Sequence, residues 1–135
     1  VAERGKTEVN INNGEINSAQ NNYGNLLVSY PCSKVLKSDY KKNFESRDGR
    51  IDIYEDLFHY SSRDGGFIKL PRSDIEYIKV DHRPLNLESP FLLVKDKGSA
   101  QWGKEGEEYE FYMNVSRKEI DNIANALNRW KNNSQ

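Results

Sequence analysis

The last stretch of the chain carries the clearest pattern of hydrophobic and polar positions. It opens with Ser116, and Glu119 follows three residues later, which is the spacing of a helix capping box. Apolar residues then recur every three or four positions, with charged and amide residues between them. The apolar positions are Ile120, Ile123, Ala124, Leu127 and Trp130. This pattern predicts a helix over Ser116–Lys131 that buries one face.

Shorter apolar runs precede this helix. Runs that alternate apolar and polar residues predict half-buried strands, and the Gly, Pro, Asp and Ser residues between them predict turns. Pro31 makes the first strand an edge, a bulge or a bend, and the polar stretch Lys41–Gly49 is predicted to be a connection. The seven predicted strands are Leu26–Val28 with a continuation through Val35, Leu36 and Tyr40, Arg50–Tyr54, Leu57–Ser61, Phe67–Leu70, Ile75–Val80, Phe91–Val94 and Tyr109–Met113.

The connections between these strands are short, which favours antiparallel pairing over parallel crossovers. We therefore predict a mainly β domain with one C-terminal helix, in which seven antiparallel strands form a sandwich or a partly open barrel capped by the helix. The acidic residues around the last strand predict a solvent-facing edge, with Glu108 and Glu110 on the exposed side. These acidic residues are Glu105, Glu107, Glu108 and Glu110.

The first 25 residues differ in composition from the rest of the chain. Seven of them are Asn, and they contain too few apolar side chains to form a core. We therefore divide the chain into an Asn-rich segment, residues 1–25, and a domain, residues 26–135. Within the segment, Glu8–Asn17 combines alternating apolar residues with an Asn-Gly turn signal. Three interpretations follow from this: a flexible tail, a hairpin added to the sheet, and a segment that drives homotypic self-assembly.

Composition and spacing argue against several function classes. A formal net charge of −1 provides no basic excess for nucleic acid. The single cysteine, Cys32, and the two histidines, His59 and His82, lack metal-ligand spacing, and no nucleophile elbow, P-loop or dinucleotide fingerprint occurs. We expect no enzymatic activity, no metal and no cofactor. With no apolar run of membrane-spanning length, we expect a cytoplasmic protein, with a peripheral membrane location and a removed N-terminal anchor as alternatives.

Two motifs in the middle of the domain occur in a familiar order. Gly49–Ser62, GRIDIYEDLFHYSS, resembles the hairpin pattern G-x-L-x-L-T-x-x-x-L-x-F-Y-S, and Phe67–Ile78, FIKLPRSDIEYI, resembles the pattern I-P-L-x-D-I-x-x-I. The later runs FLLV and YEFY and the final helix follow in matching positions. Residues 49–131 thus resemble a pleckstrin-homology-type domain of the bacterial PH-like and GRAM-like branch. The resemblance implies a strongly bent seven-stranded sheet with the helix in one corner, and a scaffold that binds phosphoinositides, peptides or proteins.

Basic residues around the first predicted hairpin are the candidate ligand-binding residues. In lipid-binding members of the family that the chain resembles, such residues clamp phosphates, and each is worth about 1 kcal/mol near an anionic membrane. A solvated hairpin rim is the alternative interpretation. The candidates are Lys34, Lys37, Lys41, Lys42, Arg47 and Arg50.

The function that the sequence favours is a non-enzymatic binding or adaptor module. Its expected partner is a protein or peptide, which would use the groove beside the helix, where a strand can be added. Two alternatives are kept: anionic-lipid binding through the basic first hairpin, and homotypic self-assembly through the Asn-rich segment. The oligomeric state is left open.

Overall fold

The computed structural model describes residues 23–37, 45–82, 90–98, 103 and 106–133. Seven strands form one antiparallel sheet in the order β4-β3-β2-β1-β7-β6-β5, which is not closed into a barrel. This confirms the prediction of a mainly β domain with a C-terminal helix. The elements are β1 (Leu26–Lys37), β2 (Glu45–Tyr54), β3 (Leu57–Ser62), β4 (Phe67–Pro71), a 3-10 turn (Arg72–Asp74), β5 (Ile75–Asp81), β6 (Phe91–Asp96), β7 (Glu108–Tyr112) and helix α1 (Arg117–Asn132).

Contacts between aromatic rings show that the sheet folds over its own inner face. Phe58 in β3 and Phe111 in β7 have ring centroids 5.1 Å apart, although two strands, β2 and β1, separate them in the sheet. In a flat sheet, that separation would be about 14 Å at the usual strand spacing. Tyr60 also meets Phe111, at 5.9 Å. The curved sheet therefore encloses one main core, to which the inward-facing residues of all seven strands contribute.

Helix α1 lies over this core with the predicted stripe inward. Ile120, Ile123, Ala124 and Leu127 are buried, and the helix packs against β5 and β6. The Asn128 amide donates to the Ile78 carbonyl at 2.9 Å, which satisfies a backbone group on the edge strand β5. No helix in the described part of the chain combines the length and the apolar character required to cross a bilayer.

The helix begins with the predicted cap, because the Ser116 hydroxyl accepts a hydrogen bond from the Glu119 N–H at 3.1 Å. We expect Ser116→Ala to lower the free energy of unfolding by about 1 kcal/mol, since it leaves that N–H without its side-chain acceptor. Urea unfolding followed by circular dichroism would measure the change. Ser116→Asp, which supplies another acceptor, should retain the stability; equal losses in both variants would contradict the capping role.

In the structure, β1 is continuous where the predicted strand was interrupted, and β2 begins before its predicted start. The polar residues from Glu45 onward belong to β2 rather than to a connection, because pairing with β1 (Leu36 opposite Glu45) holds them in the sheet. The Asp-Gly pair at the end of the predicted connection, Asp48-Gly49, lies inside β2, where Asp48 adopts a left-handed backbone with φ of 58°. Pro31 lies within β1, opposite Arg50, in the part of the strand that pairs with β2 alone among the described strands.

Candidate functional site

The structure describes four of the six predicted basic residues, which lie on β1 and β2. Lys34 in β1 lies opposite Arg47 in β2, while Arg50 is three residues further along β2. Lys37 is the last residue of β1. Lys41 and Lys42 lie outside the described residues. The described part of the hairpin therefore brings two of the predicted basic side chains, those of Lys34 and Arg47, to neighbouring positions.

Two of these cations already have partners within the domain. The Lys34 ammonium lies 4.7 Å from the centre of the Tyr112 ring, a cation–π contact. The Arg50 guanidinium holds the buried Asp52 carboxylate, with Nε 3.0 Å from Oδ1 and Nη2 3.1 Å from Oδ2. An anionic ligand at this hairpin would have to compete with both contacts.

Asp52 also belongs to a polar row that crosses the outer face of the sheet. Ser29 in β1 lies opposite Asp52 in β2, which lies opposite His59 in β3. The Ser29 hydroxyl donates to Asp52 Oδ1 at 2.5 Å. In a Ser-His-Asp triad the imidazole lies beside the serine hydroxyl and the carboxylate lies behind the imidazole. Here the carboxylate takes the middle position, so the row does not have the order of a triad, and its hydrogen bonds satisfy a buried charge.

Tyrosine–carboxylate pairs occupy the other half of the sheet. Tyr112 donates to the Glu110 carboxylate at 2.9 Å, and Tyr109 donates to Glu107 at 2.8 Å. Glu110 is buried, so the prediction that it faces solvent was wrong: the outer face of β6 and β7 carries a second apolar cluster that surrounds it. The buried residues of that cluster are Phe91, Leu93 and Tyr112.

Burial and a hydrogen bond to Glu108 raise the pKa of Tyr77 to about 12. Burial and a hydrogen bond to Glu107 also raise the pKa of Tyr109. The folded state thus favours the neutral phenols, and this stabilisation is complete below the unfolded pKa of 10.0. We expect the free energy of unfolding to fall between about pH 10 and pH 12 as the unfolded chain ionises first. Urea unfolding across this range should show a shallower fall for Tyr77→Phe; an identical slope would contradict the assignment.

Cys32 and the described acidic residues are the side chains to consider for thiol chemistry and for a metal site. Cys32 is a free, buried thiol, and burial raises its pKa to about 12, so the nucleophilic thiolate is scarce at neutral pH. Within the described ranges, no group of three or more His, Cys, Asp or Glu side chains could hold a metal ion. His82, the residue after β5, is exposed, and its backbone N–H donates to the Asp81 carboxylate.

The first three residues of β1 form an exposed apolar ridge. The side chains of Leu26, Leu27 and Val28 are 48%, 55% and 39% exposed, and we call Leu26–Val28 the ridge. The register with β2 shifts between Leu26 and Val28, which makes Leu27 the extra residue of a bulge. Among the described strands, β1 pairs with β7 only from Lys34 onward. The ridge therefore lies on a strand edge that no described neighbour covers.

A cleft of about 560 Å³ opens beside the ridge, within the size range of ligand pockets. It lies where the start of β1, the β2–β3 turn, the 3-10 turn and the end of α1 meet. We call it the Trp130 cleft. The described residues that line it are Leu27, Glu55, Asp56, Arg72, Trp130 and Asn133.

Backbone hydrogen bonds fix the β2–β3 turn at the rim of this cleft. The Glu55 N–H donates to the Asn25 carbonyl at 3.0 Å, and the Asp56 N–H donates to the Tyr23 carbonyl at 2.9 Å. Gly24 has φ of 87°, and a Cβ there would lie 2.4 Å from Glu55 Oε1. Both the backbone conformation and the close approach of Glu55 therefore require glycine at position 24. The residues just before β1 therefore belong to the folded domain and help to shape the cleft.

Two long side chains complete the walls of the cleft. The Trp130 indole N–H donates to the Tyr54 and Glu55 carbonyls at 2.8 and 3.1 Å, which attaches the helix to the turn. Arg72 binds the Asp56 carboxylate through Nη2 at 2.9 Å, and its Nη1 donates to the Trp130 and Asn133 carbonyls. Both polar heads are committed, so Trp130 and Arg72 are held in place before any ligand arrives.

Comparison with known proteins finds no family model that matches the chain and no curated protein that matches it. The sequence pattern places Trp130 in the apolar stripe of the helix and Leu26–Val28 in a strand. It does not predict that the two lie side by side. The available signal was the run Leu26-Leu27-Val28, which places apolar side chains on both faces of one strand end. Its proximity to Trp130 depends on the tertiary fold, which periodicity does not encode.

Proposed function

We propose that this protein is a non-enzymatic docking module of PH-like type that binds a protein or peptide partner through the ridge and the Trp130 cleft. One observation carries the proposal: three consecutive apolar side chains are exposed on a strand edge directly beside a concave site. Apolar patches with polar rims are typical of interaction sites on soluble proteins. Here the rim is supplied by Glu55, Asp56 and Arg72.

Anionic-lipid binding through the basic hairpin is the less favoured alternative. It needs cations that are available to a head group, and the contacts of Lys34 with Tyr112 and of Arg50 with Asp52 compete for two of them. Homotypic assembly through the Asn-rich segment concerns residues that lie outside the described part of the chain, apart from Tyr23, Gly24 and Asn25.

A peptide selection on the whole chain tests the docking function. Peptides would be selected from a phage-displayed library of random dodecapeptides, and their affinities would be measured for the original chain and for Leu27→Ser. We expect about a tenfold loss of affinity in the variant, because burying a Leu side chain is worth roughly 1.5–3 kcal/mol. Leu27 is more than half exposed, so the melting temperature should be unchanged.

Phe67→Ser provides the matched control, because Phe67 is similarly exposed, at 53%, but lies on the edge strand β4. Its affinity for the selected peptides should equal that of the original chain. Equal affinities for all three chains would contradict the docking site. Sedimentation with vesicles of phosphatidylcholine, with and without phosphatidylserine, tests the lipid alternative; binding that requires phosphatidylserine would favour the basic hairpin instead.

A further inference from the structure

We infer that the Trp130 cleft selects a partner segment in which a Lys or Arg stands next to aliphatic residues. The aliphatic side chains would cover the ridge, and the cation would enter the cleft between Glu55 and the end of the helix. This inference rests on the proposed docking function and adds the chemistry of the partner.

The charges that line the cleft carry this inference. Glu55 and Asp56 contribute two negative charges, and Arg72 contributes one positive charge. Arg72 is bound to Asp56 by its Nε and Nη2 atoms, at 3.1 and 2.9 Å from Oδ1. The Glu55 carboxylate forms no ion pair with any other described residue and is exposed. One uncompensated carboxylate therefore borders the cleft.

Arg72 also binds the end of the helix, because its Nη1 donates to the Trp130 and Asn133 carbonyls. The partial negative charge of this helix C-terminus is thus already compensated, and the Glu55 carboxylate is the charge that remains to attract a cation. Arg129 and Lys131, the basic residues of the last helical turn, are not among the lining residues. A cation in the cleft would therefore meet the Glu55 carboxylate, with the Trp130 side chain as part of the cleft wall.

Glu55 and the ridge border the same cleft. Glu55 and Leu27 both line it, while Leu26 and Val28 flank Leu27 on the ridge. A segment that lays an aliphatic side chain on Leu27 therefore places its neighbouring residues at the cleft that the carboxylate borders. The bulge at Leu27 and the proline at position 31 interrupt this edge of β1, so side chains rather than an added strand provide most of the contact.

The test uses the peptides selected on the whole chain. We expect them to be enriched in a Lys or Arg flanked by aliphatic residues. Glu55→Gln should weaken their binding about two- to fivefold, the upper range for an exposed ion pair. Peptides in which Gln replaces that cation should bind the original chain about two- to fivefold more weakly than the parent peptides do. Against Glu55→Gln, the same replacement in the peptide should cause no further loss of affinity. Glu76→Gln removes an exposed carboxylate on β5 and should change nothing.

The outcomes separate this inference from the docking function on which it rests. Peptides that depend on Leu27 but lack a cation, or bind Glu55→Gln as tightly as the original chain, would overturn the inference and leave the docking function standing. Peptides that are indifferent to both Leu27→Ser and Glu55→Gln would overturn both. Sedimentation velocity that shows a dimer of the chain, dissociated by Leu27→Ser, would identify a second copy as the occupant and overturn the peptide partner.

Discussion

Leu127→Asp is expected to unfold the domain at neutral pH. Leu127 is 1% exposed and lies in the stripe with which α1 covers the core. The substitution leaves an unpaired carboxylate in an apolar site and removes the packing of a large side chain, a combination that costs about 4–5 kcal/mol or more. A domain of this size has about 5–15 kcal/mol of total stability. Circular dichroism should therefore show loss of most of the cooperative thermal transition.

Asn125→Asp is the control for this substitution. It introduces the same carboxylate into the same helix, but at an exposed position two residues away. Its effect on the free energy of unfolding should stay within about 0.5 kcal/mol. A normal melting temperature for Leu127→Asp would contradict the account, because it would mean that the helix is peripheral to the core.

Phe111→Ala is expected to lower the free energy of unfolding by about 3–5 kcal/mol. Phe111 is fully buried and packs against Phe58 and Tyr60, so it joins β7 to β3 across the fold of the sheet. Removing the ring leaves a cavity where the two halves of the sheet meet. Chemical unfolding followed by far-UV circular dichroism would measure the loss, with the slope of the transition as a check on two-state behaviour.

Phe67→Ala makes the same change at an exposed position on β4 and should cost less than about 1 kcal/mol. A double-mutant cycle with Phe58→Ala should give a coupling energy of about 0.5–1.5 kcal/mol between the Phe58 and Phe111 rings. A coupling energy of zero would contradict their contact, and with it the folding of the sheet onto itself.

The features that depend on local periodicity could be predicted from the sequence. The stripe from Ile120 to Leu127 is buried, and Ser116 caps the helix. Ile51 and Ile53 alternate into the core. In each case the local pattern and the tertiary environment favour the same structure, so the local pattern suffices.

Features that depend on pairing between distant residues could not be predicted in this way. The polar start of β2 is extended only because β1 lies beside it. Asp52 and Glu110 alternate with core residues, a pattern that predicts exposed side chains, yet both are buried on the outer face. Asp52 is paired with Arg50 and Ser29, and Glu110 is paired with Tyr112. Charged residues are rarely buried unless they are paired. The partners here lie either on a neighbouring strand or two residues away on the same strand.

The candidate site shows the same division. The basic residues can be identified from the sequence, but their contacts cannot. The sequence does not reveal that Lys34 lies over the Tyr112 ring or that Arg50 binds Asp52. The Trp130 cleft joins residues separated by up to about a hundred positions, from Leu27 to Asn133. No spacing rule connects such residues, so the cleft appears only once the helix and the sheet are placed together.

The docking surface can be tested most directly by nuclear magnetic resonance of the nitrogen-15-labelled chain during titration with one selected peptide. The account predicts that the Trp130 indole N–H and the amides of Leu26–Val28, Glu55 and Asp56 will shift. It also predicts that the amides of Lys34 and Arg47 will stay in place. Shifts confined to the amides of the β1–β2 hairpin around Lys34 and Arg47, with the ridge and Trp130 unchanged, would contradict it.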